Sequence, residues 1–259
     1  MARSPESRDE LILGLLEGRE SVPVEELAQN LEVSAVTVRK DLDRLVRSAL
    51  IERVRGGARL RASEEGPFAL RLGRRVVAKR AIARRAAGLV DAGAVVALDS
   101  SSTSYYLALE LAERTDLTVV TNSLRVATQL AERSELEVVL LGGSVRRTSN
   151  STVGFPPEVL RGFGRIDAAY LGISALSVER GLLERSYSEA ETKRAMAGAA
   201  RQVVGLFDSS KVEGFGQHSV IPAESVSMLV TDDEFLEADA AAWETHGVRV
   251  ERVALHPHT

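Results

Sequence analysis

The feature that most constrains the fold is a regular alternation of short apolar runs and helical segments that begins near residue 94. Seven runs rich in Val, Leu and Ala are predicted to be strands: Ala94–Leu98, Leu117–Thr121, Leu136–Leu141, Ala168–Ile173, Val203–Phe207, Ser227–Thr231 and Val248–Val253. Segments with helical spacing lie between them, near residues 104–114, 123–133, 156–163, 188–202 and 234–246. This alternation predicts a mostly parallel α/β sheet that is covered by helices on both faces.

The chain before residue 62 has the pattern of a small helical domain. Helices are predicted over Arg8–Glu17, Glu25–Leu31 and Val33–Leu45, with Ser34 as the N-cap of the third helix. A tight turn joins the second helix to the third. This is the pattern of a helix-turn-helix, in which the third helix of the domain would enter the major groove of DNA.

Two short predicted strands, Leu50–Val54 and Ala58–Arg61, follow directly and flank the glycine pair Gly56–Gly57. The pattern predicts a β-hairpin, which after a helix-turn-helix is a wing. Three helices with a basic wing favour DNA binding much more strongly than one basic helix does.

The distribution of charge supports the same hypothesis. The whole chain has a net charge of −4, but residues 35–61 carry eight Lys or Arg against three Asp or Glu, a net of +5. A basic region on an acidic protein is typical of one surface that faces nucleic acid. On charge alone, the alternative is a solvated face with internal salt bridges.

The expected DNA contacts lie on the outer face of the third helix and on the wing. They are Ser34, Val36, Thr37, Arg39, Lys40, Arg44, Arg53, Arg55 and Arg59. The cations would bind phosphate oxygens or base edges, and Val36 would contact a thymine methyl group or be an ordinary surface residue. Residues 71–85 hold seven further basic residues, for which a solvated helix face is favoured over a second DNA-facing surface.

Length and composition indicate the domain plan and the class of protein. A chain of 259 residues is long enough for two domains, and the polar stretch 62–67 contains the Gly and Pro of a boundary. The predicted plan is a DNA-binding domain over 1–61, a linker over 62–74 and an α/β domain over 75–259. Without cysteine, a signal-peptide core or a membrane-length apolar run, the expectation is a cytoplasmic protein with no membrane contact and no metal site.

Small polar residues and glycines occupy the carboxyl ends of five predicted strands. They are found at Asp99–Thr103, Thr121–Ser123, Gly142–Gly143, Gly172–Ser174 and Asp208–Lys211. Ligands of open parallel sheets bind at this edge, and hydroxyls beside a helix N-terminus suit a phosphate. The strand ends therefore predict a pocket for a small phosphorylated polyol, although each one alone is as typical of an N-cap or a turn.

These motifs together resemble those of DeoR-type transcriptional regulators nearly end to end. The resemblance rests on Val24–Ala28, Val33–Ser34, Thr37–Leu42 and Arg55–Ala58, and then on Thr121–Ser123, Leu141–Gly143, Gly154, Gly172, Glu189–Lys193 and Asp208–Lys211. It implies a winged helix-turn-helix domain joined to a sensor domain similar to ribose-5-phosphate isomerase. Such regulators are typically repressors of sugar or nucleoside catabolic operons, and a phosphorylated intermediate relieves the repression.

The resemblance also implies which residues line the effector pocket. By motif position these are Asp99, Ser100, Ser101, Ser102, Thr103, Thr121, Asn122, Gly142, Gly143 and Lys211. Lys193 lies in a family motif, where it either touches the ligand or only ties down its helix. Ser101 departs from the family pattern, which commonly has glycine there, and Val212 stands where an aromatic residue is usual; both bear on which effector binds.

The expected function is therefore DNA-binding transcriptional regulation without a cofactor, with double-stranded operator DNA and a small phosphorylated sugar as partners. A homo-oligomer, either a dimer or a tetramer, is expected because one helix-turn-helix buries too little surface for tight operator binding. The alternative is a sugar-phosphate isomerase that carries a DNA-binding module, with Asp99, Glu189 or Asp208 as general base. Because no such base has an evident acid partner, an enzyme is not expected.

Overall fold

A computed structural model of the chain describes residues 5–16, 19, 21–47, 51–60, 66–212 and 214–255. The chain divides into two compact units, Met1–Arg74 and Arg75–Thr259. Within the described ranges, no helix has the length and apolar character that crossing a membrane requires.

The first unit is a small helical domain with a three-stranded antiparallel sheet. Its elements in the described residues are α1 (Pro5–Leu16), β1 (Val22–Pro23), α2 (Val24–Leu31), α3 (Ala35–Arg47), β2 (Ile51–Val54), β3 (Gly57–Leu60) and α4 (Phe68–Gly73). Ile12, Leu27 and Leu42 are fully buried where α1, α2 and α3 meet. Burial of each such side chain stabilises the unit by about 1.5–3 kcal/mol.

Helix α3 begins where the sequence predicts. Ser34 Oγ accepts a hydrogen bond from the Thr37 N–H at 3.1 Å, which satisfies one of the free donors of the first turn. Val38 and Leu42 are fully buried, as the helical spacing predicts, whereas the side chain of Val36 is 60% exposed.

The wing is the predicted hairpin with one strand added. Val54 pairs with Gly57, so Arg55 and Gly56 form a two-residue turn, and Gly56 has the φ of +80° that such a turn requires. Strand β1 pairs with β3, which the sequence does not predict because two residues are too few to show an alternation. This added strand explains Gly57, where a Cβ would lie 2.2 Å from the carbonyl oxygen of Val22.

Part of the range predicted as linker is folded. Residues 68–73 form α4, which packs against α1 in the first unit. Phe68 and Leu70 are buried, and that burial is the physical reason for a helix here rather than a free connection. Residues 61–65 of the predicted wing end and linker lie outside the described residues.

The second unit contains the predicted α/β architecture. Its helices and strands in the described residues are α5 (Val76–Ala87), β4 (Val95–Leu98), α6 (Ser102–Leu111), β5 (Thr118–Thr121), α7 (Leu124–Arg133), β6 (Glu137–Leu140), β7 (Ser144–Arg146), β8 (Ser151–Val153), α8 (Glu158–Arg161), β9 (Ile166–Gly172), β10 (Ala175–Ser177), β11 (Gly181–Glu184), α9 (Tyr187–Ala199), β12 (Ala200–Leu206), β13 (His218–Ile221), β14 (Met228–Asp232), α10 (Glu237–Glu244) and β15 (Arg249–Val253). All seven predicted strands are present. The sequence does not predict the short strands β7, β8, β10, β11 and β13, which form two small antiparallel sheets.

The seven predicted strands form one parallel sheet in the order β15–β14–β12–β9–β4–β5–β6. From β4 the chain first adds strands on one side, through β5 to β6, and then adds β9 on the other side. The direction of winding therefore reverses between β4 and β9. The carboxyl ends of these two strands flank the switch point, which is where open parallel sheets bind ligands.

Candidate functional site

The outer face of α3 presents the exposed side chains of Val36, Arg39 and Lys40. Arg39 lies 3.8 Å from Glu25, a distance that leaves the ion pair weak and its guanidinium available. Lys40 has no ion pair with any residue that the structure describes. Thr37 is half-buried, and its hydroxyl lies 2.9 Å from that of Ser34, so these two hydroxyls are engaged in the helix cap.

Arg44, which was expected on the same outer face, is held inside the unit. It donates to Asp9 Oδ1 at 2.6 Å and to Asp41 Oδ1 at 2.7 Å. Asp41 is 1% exposed and also accepts from Arg8 Nε at 2.7 Å. Burial by itself favours a neutral Asp41, but the hydrogen bonds from Arg8 and Arg44 outweigh burial and lower the pKa of Asp41. These contacts assign Arg44 to the packing of α1 on α3.

Two of the three wing arginines in the described residues also have internal partners. Arg53 donates to Asp43 Oδ1 at 2.7 Å and to the carbonyl oxygen of Arg39 at 3.0 Å, so it ties the wing to α3. Arg59 donates to Glu52 Oε1 at 2.5 Å across the hairpin. Arg55, at the tip of the wing, is exposed and makes no ion pair within the described ranges.

In the second unit, Asp99 lies at the centre of the switch point and is fully buried. Its Oδ1 accepts from Ser104 Oγ at 2.5 Å and from the Ser101 N–H at 3.1 Å, and its Oδ2 accepts from the Gly172 N–H at 3.0 Å. One carboxylate thus joins the loop after β4 to the end of β9. Its role in this arrangement is to shape the loop, since its oxygens are occupied by neighbouring donors.

Lys193 supplies the countercharge for Asp99 from helix α9. Its Nζ lies 2.9 Å from Asp99 Oδ2, donates to the carbonyl oxygen of Gly172 at 2.6 Å and forms an ion pair with Glu184. Burial opposes the charge on both Asp99 and Lys193, but their mutual attraction prevails. The pKa of Asp99 is therefore lowered and that of Lys193 is raised from its ordinary value.

A second buried carboxylate, Glu189, accepts hydrogen bonds from three serine hydroxyls in two segments of the chain. It accepts from Ser149 Oγ at 2.7 Å, from Ser151 Oγ at 2.8 Å and from Ser100 Oγ at 3.1 Å. Arg146 Nη1 lies 3.5 Å from the same carboxylate. The motif position of Ser100 predicts a place in the effector pocket, but in the structure its hydroxyl is part of this internal cluster.

The N-terminus of α6 is the part of the predicted pocket that keeps free donors. Ser101 is its N-cap and accepts from the Ser104 N–H at 3.0 Å. The N–H groups of Ser102 and Thr103, in the first turn, have no acceptor among the described residues, as is usual where a helix begins. Such N–H groups are the kind of donor that the predicted anion site after β4 requires.

Two further predicted residues, Thr121 and Asn122, lie at the end of β5 and are fully buried. Thr121 Oγ1 donates to the carbonyl oxygen of Leu98 at 2.6 Å and accepts from the Ser123 N–H at 3.0 Å, so its hydrogen-bonding capacity is used internally. Asn122 Nδ2 donates to the carbonyl oxygen of Thr152 at 2.9 Å. Its Oδ1, in contrast, has no donor within the described ranges, which is uncommon for a buried oxygen.

Gly142, Gly143 and Lys211 mark the outer parts of the same sheet edge. Both glycines are exposed, and Gly143 has a φ of +118° with its Cα so close to β8 that a Cβ would lie 2.3 Å from the carbonyl oxygen of Val153. Lys211 ends the single 3₁₀ turn Ser209–Lys211 and is half-buried. Gly143 is therefore required by the fold, whereas no contact among the described residues requires a glycine at position 142, and Lys211 follows the end of β12.

The sequence does not predict the roles of Glu184, Ser149 and Ser151, and it offers Glu189 only as a general base of the alternative enzyme. No local spacing marks Ser149 and Ser151, because their partner Glu189 lies about 40 residues away in the sequence. Glu184 meets Lys193 only because strand β11 and helix α9 pack together. The only sequence signal is a concentration of Ser and Glu over residues 184–191.

The two units together define a class: a winged helix-turn-helix followed by a parallel α/β domain that has free helix N–H groups at the carboxyl ends of its strands. Residues 8–64 match the family model of the DeoR-like helix-turn-helix domain, and residues 74–233 match that of the DeoR C terminal sensor domain. The chain belongs to the DeoR family of transcriptional regulators.

Curated relatives align with most of the chain. The HTH-type transcriptional regulator GolR of Listeria innocua is 34% identical over 90% of this chain and 93% of its own length. The glycerol-3-phosphate regulon repressor of Escherichia coli is 32% identical over 84% of this chain and 86% of its own length. These relatives are named as a regulator and a repressor, which confirms the expectation of a regulator rather than an enzyme.

Among solved structures, ribose 5-phosphate isomerase A of Methanocaldococcus jannaschii aligns with 52% of this chain and 53% of its own, at a TM-score of 0.39 and 21% identity. Likeness at that level carries no argument about function. The predicted fold class, a winged helix-turn-helix and a mostly parallel α/β domain, is confirmed by the sheet order and the two family models.

Proposed function

We propose that this protein is a repressor of a sugar or nucleoside catabolic operon whose affinity for operator DNA is controlled by a phosphorylated sugar bound in the second unit. The observation that carries the proposal is the free first turn of α6 at the switch point of the sheet. That turn offers N–H groups to an anion in a domain whose family model is named a sensor. A relative named for the glycerol-3-phosphate regulon supports the class of effector.

On the DNA side, the cations available for phosphates and bases are Arg39, Lys40 and Arg55. All three are exposed, and within the described ranges none has an ion pair closer than the 3.8 Å contact of Arg39. They lie on α3 and at the wing tip, the two elements with which winged domains contact DNA. The proposed interface therefore centres on these three cations, with Val36 and Thr37 on the same helix, and Ser34, Arg53 and Arg59 in supporting positions.

On the effector side, the phosphate would be bound by the N–H groups of Ser102 and Thr103. The unpartnered Oδ1 of Asn122 would accept a sugar hydroxyl, and Lys211 would add a positive charge from the neighbouring loop. Asp99 and Thr121 would shape the pocket from below rather than donate to the ligand. Gly142 and Gly143 would allow close approach of the backbone.

The experiment that tests the proposal has two steps. An operator is first selected from a library of random duplexes, and binding of the full chain is measured by fluorescence anisotropy. Ribose 5-phosphate, glycerol 3-phosphate, fructose 1-phosphate and the three unphosphorylated compounds are then added in turn. We expect one phosphorylated compound to lower the affinity, and no response to its unphosphorylated form. Equal affinity in all six would contradict effector control, and failure to select any duplex would contradict DNA binding.

We also propose that the protein acts as a homo-oligomer, since two half-sites are needed to reach ordinary operator affinities. Light scattering coupled to size exclusion tests this directly. A monomer at the concentration that saturates the selected duplex would contradict it.

A further inference from the structure

The first residue of the second unit, Arg75, binds the loop that follows strand β12. Its Nη2 donates to Ser209 Oγ at 2.8 Å, to Glu234 Oε2 at 2.5 Å and to Asp232 Oδ2 at 3.4 Å. Its Nε lies 3.8 Å from Asp208 Oδ1. One guanidinium therefore joins the loop after β12 to the loop after β14, at the same edge of the sheet as the proposed effector site.

The two loops also depend on each other. Asp232, which is fully buried, accepts from the Ser209 N–H at 3.0 Å and from the Glu234 N–H at 3.1 Å. Asp208 is 2% exposed and caps the 3₁₀ turn that ends at Lys211. Arg75 gives both buried carboxylates a positive neighbour, at 3.8 Å from Asp208 and 3.4 Å from Asp232.

The backbone of Arg75 is in an uncommon conformation. Its φ of +51° and ψ of +37° lie in the left-handed region that residues with a side chain rarely adopt. The preceding residue, Arg74, is the last of the first unit, and α5 begins at the following residue, Val76. The contacts of the guanidinium thus hold the backbone in this conformation where the chain enters the second unit.

A cleft of about 370 Å³ opens beside these contacts. Its walls are formed by Arg75, Ser209, Ser210, Val212, Glu234, Leu236 and Asp239. A small polar ligand in this cleft would contact the hydroxyls of the loop and the guanidinium of Arg75 together. A ligand in the cleft could therefore act on the loop and on Arg75 directly.

We propose that Arg75 is a positioning residue that couples the loop Asp208–Lys211 to the chain segment between the two units. The inference rests on the proposed function, because this loop belongs to the proposed effector site. An effector phosphate at the first turn of α6 that attracts Lys211 shifts the same loop and weakens the bond from Arg75 to the Ser209 hydroxyl. The guanidinium then loses part of its anchorage, and the change passes to the backbone of residue 75 and to the connection with the DNA-binding unit.

The first test needs no effector. Hydrogen–deuterium exchange of the full chain is compared for wild type, Arg75→Gly, Glu234→Gln and the control Arg85→Ala. Glycine keeps the left-handed backbone without strain while removing the guanidinium. Arg85 lies on α5, the helix that follows Arg75, and pairs with Glu251 at 2.8 Å, away from the loop. We expect exchange in peptides covering 205–212 and 72–78 to become about tenfold faster in the first two variants only, as for loss of a charged hydrogen bond. Wild-type exchange in Arg75→Gly would overturn the proposal.

The second test measures the response to an effector. For the duplex and sugar phosphate that give the largest change with wild type, the ratio of dissociation constants with and without the compound is measured for each variant. We expect the ratio to fall towards one in Arg75→Gly and Glu234→Gln and to stay at the wild-type value in Arg85→Ala. A wild-type ratio in Arg75→Gly would overturn the coupling. A ratio of one in wild type with every sugar phosphate would overturn the effector part of the proposed function, and the exchange experiment would then decide the role of Arg75 alone.

Discussion

The ammonium group of Lys193 lies 2.9 Å from Asp99 Oδ2, and this buried ion pair ties helix α9 to the carboxyl end of strand β4. Gly172 and Glu184 provide two further acceptors, so each of the three N–H groups of Lys193 has a partner. Of the two roles that the family motif leaves open for Lys193, the geometry supports the one in which it ties down its helix.

Replacing Lys193 by Met should strongly destabilise the second unit. The substitution leaves the carboxylates of Asp99 and Glu184 buried without a countercharge, which costs about 3–5 kcal/mol. Urea denaturation followed by tryptophan fluorescence measures this loss, because the single tryptophan, Trp243, is buried in the second unit. Lys40→Met on the exposed face of α3 is the control and should leave the transition unchanged. A loss below about 1 kcal/mol in Lys193→Met would show that the pair is not a major determinant of stability.

The same pair predicts how the free energy of unfolding depends on pH. The pKa of Asp99 is lowered in the folded chain, so its contribution is present above about pH 3.9 and is lost as the pH falls further. The pKa of Lys193 is raised, so its contribution is complete below about pH 10.4 and is lost as the pH rises. Burial raises the pKa of Tyr170 to about 12, which acts in the same direction at high pH.

The free energy of unfolding should therefore fall less steeply with rising pH in Lys193→Met than in wild type. The part of the fall that is due to Tyr170 should remain in both proteins. Urea midpoints and slopes measured between pH 8 and about pH 11 check this difference. Equal alkaline slopes in the two proteins would mean that Lys193 titrates alike in the folded and unfolded states.

Asp41→Asn should destabilise the first unit and leave the second unaffected. The substitution removes the negative charge that pairs with both Arg8 and Arg44 in a nearly buried position. We expect a loss of about 3 kcal/mol in the free energy of unfolding, at the low end of the range for buried ion pairs because the Arg44 side chain is 37% exposed. Far-ultraviolet circular dichroism should show an earlier transition, while the fluorescence of Trp243 should keep its wild-type midpoint. Coincident shifts in both signals would contradict the prediction that Asp41 stabilises only the first unit.

Gly172→Ala should displace the loop after β4. A Cβ at this position would lie 2.2 Å from both the Cβ and the Oγ of Ser101, and overpacking of this kind costs about 1–3 kcal/mol. Ser101→Gly should cost only a few tenths of a kcal/mol as an N-cap substitution, and in the double variant it should restore most of the stability. The coupling is measured by a double-mutant cycle on urea midpoints, and additive effects of the two substitutions would refute it.

Arg39→Ala and Arg44→Ala should behave differently although both arginines lie on α3. Arg39 is exposed, and its loss should weaken binding to the selected duplex by about 1–3 kcal/mol if it contacts a base, with no change in melting temperature. Loss of Arg44 should instead lower the stability of the first unit, because it removes the ion pairs with Asp9 and Asp41. Arg133→Ala, on an exposed position of α7, is the control for binding. Unchanged affinity in Arg39→Ala would remove Arg39 from the interface.

A matched test on Lys40 separates phosphate from base contacts. Lys40→Ala should weaken binding to specific and unrelated duplexes alike and should reduce the slope of log affinity against log salt by about one. A loss confined to the selected duplex would instead assign a base contact to Lys40.

The sequence by itself determined the elements whose signal is local. Apolar spacing located α3 and its buried face, Ser34 marked its start, the Gly56 turn located the wing, and seven apolar runs gave the strands of the parallel sheet. In each case neighbouring residues carry the information, since helical and strand periodicity and capping hydrogen bonds involve residues a few positions apart.

Only the tertiary structure decided which polar side chains remain available to a ligand. Arg44 and Arg39 look alike in the sequence. In the structure Arg44 forms ion pairs with Asp9 and Asp41, whereas Arg39 has only the 3.8 Å contact with Glu25. Asp99 and Ser102 likewise stand three positions apart in one motif, yet Lys193 and Gly172, more than 70 residues away, occupy the carboxylate. The physical reason is that a polar group finds its partner through space, so whether it is satisfied depends on which distant segments the fold brings within about 3 Å of it.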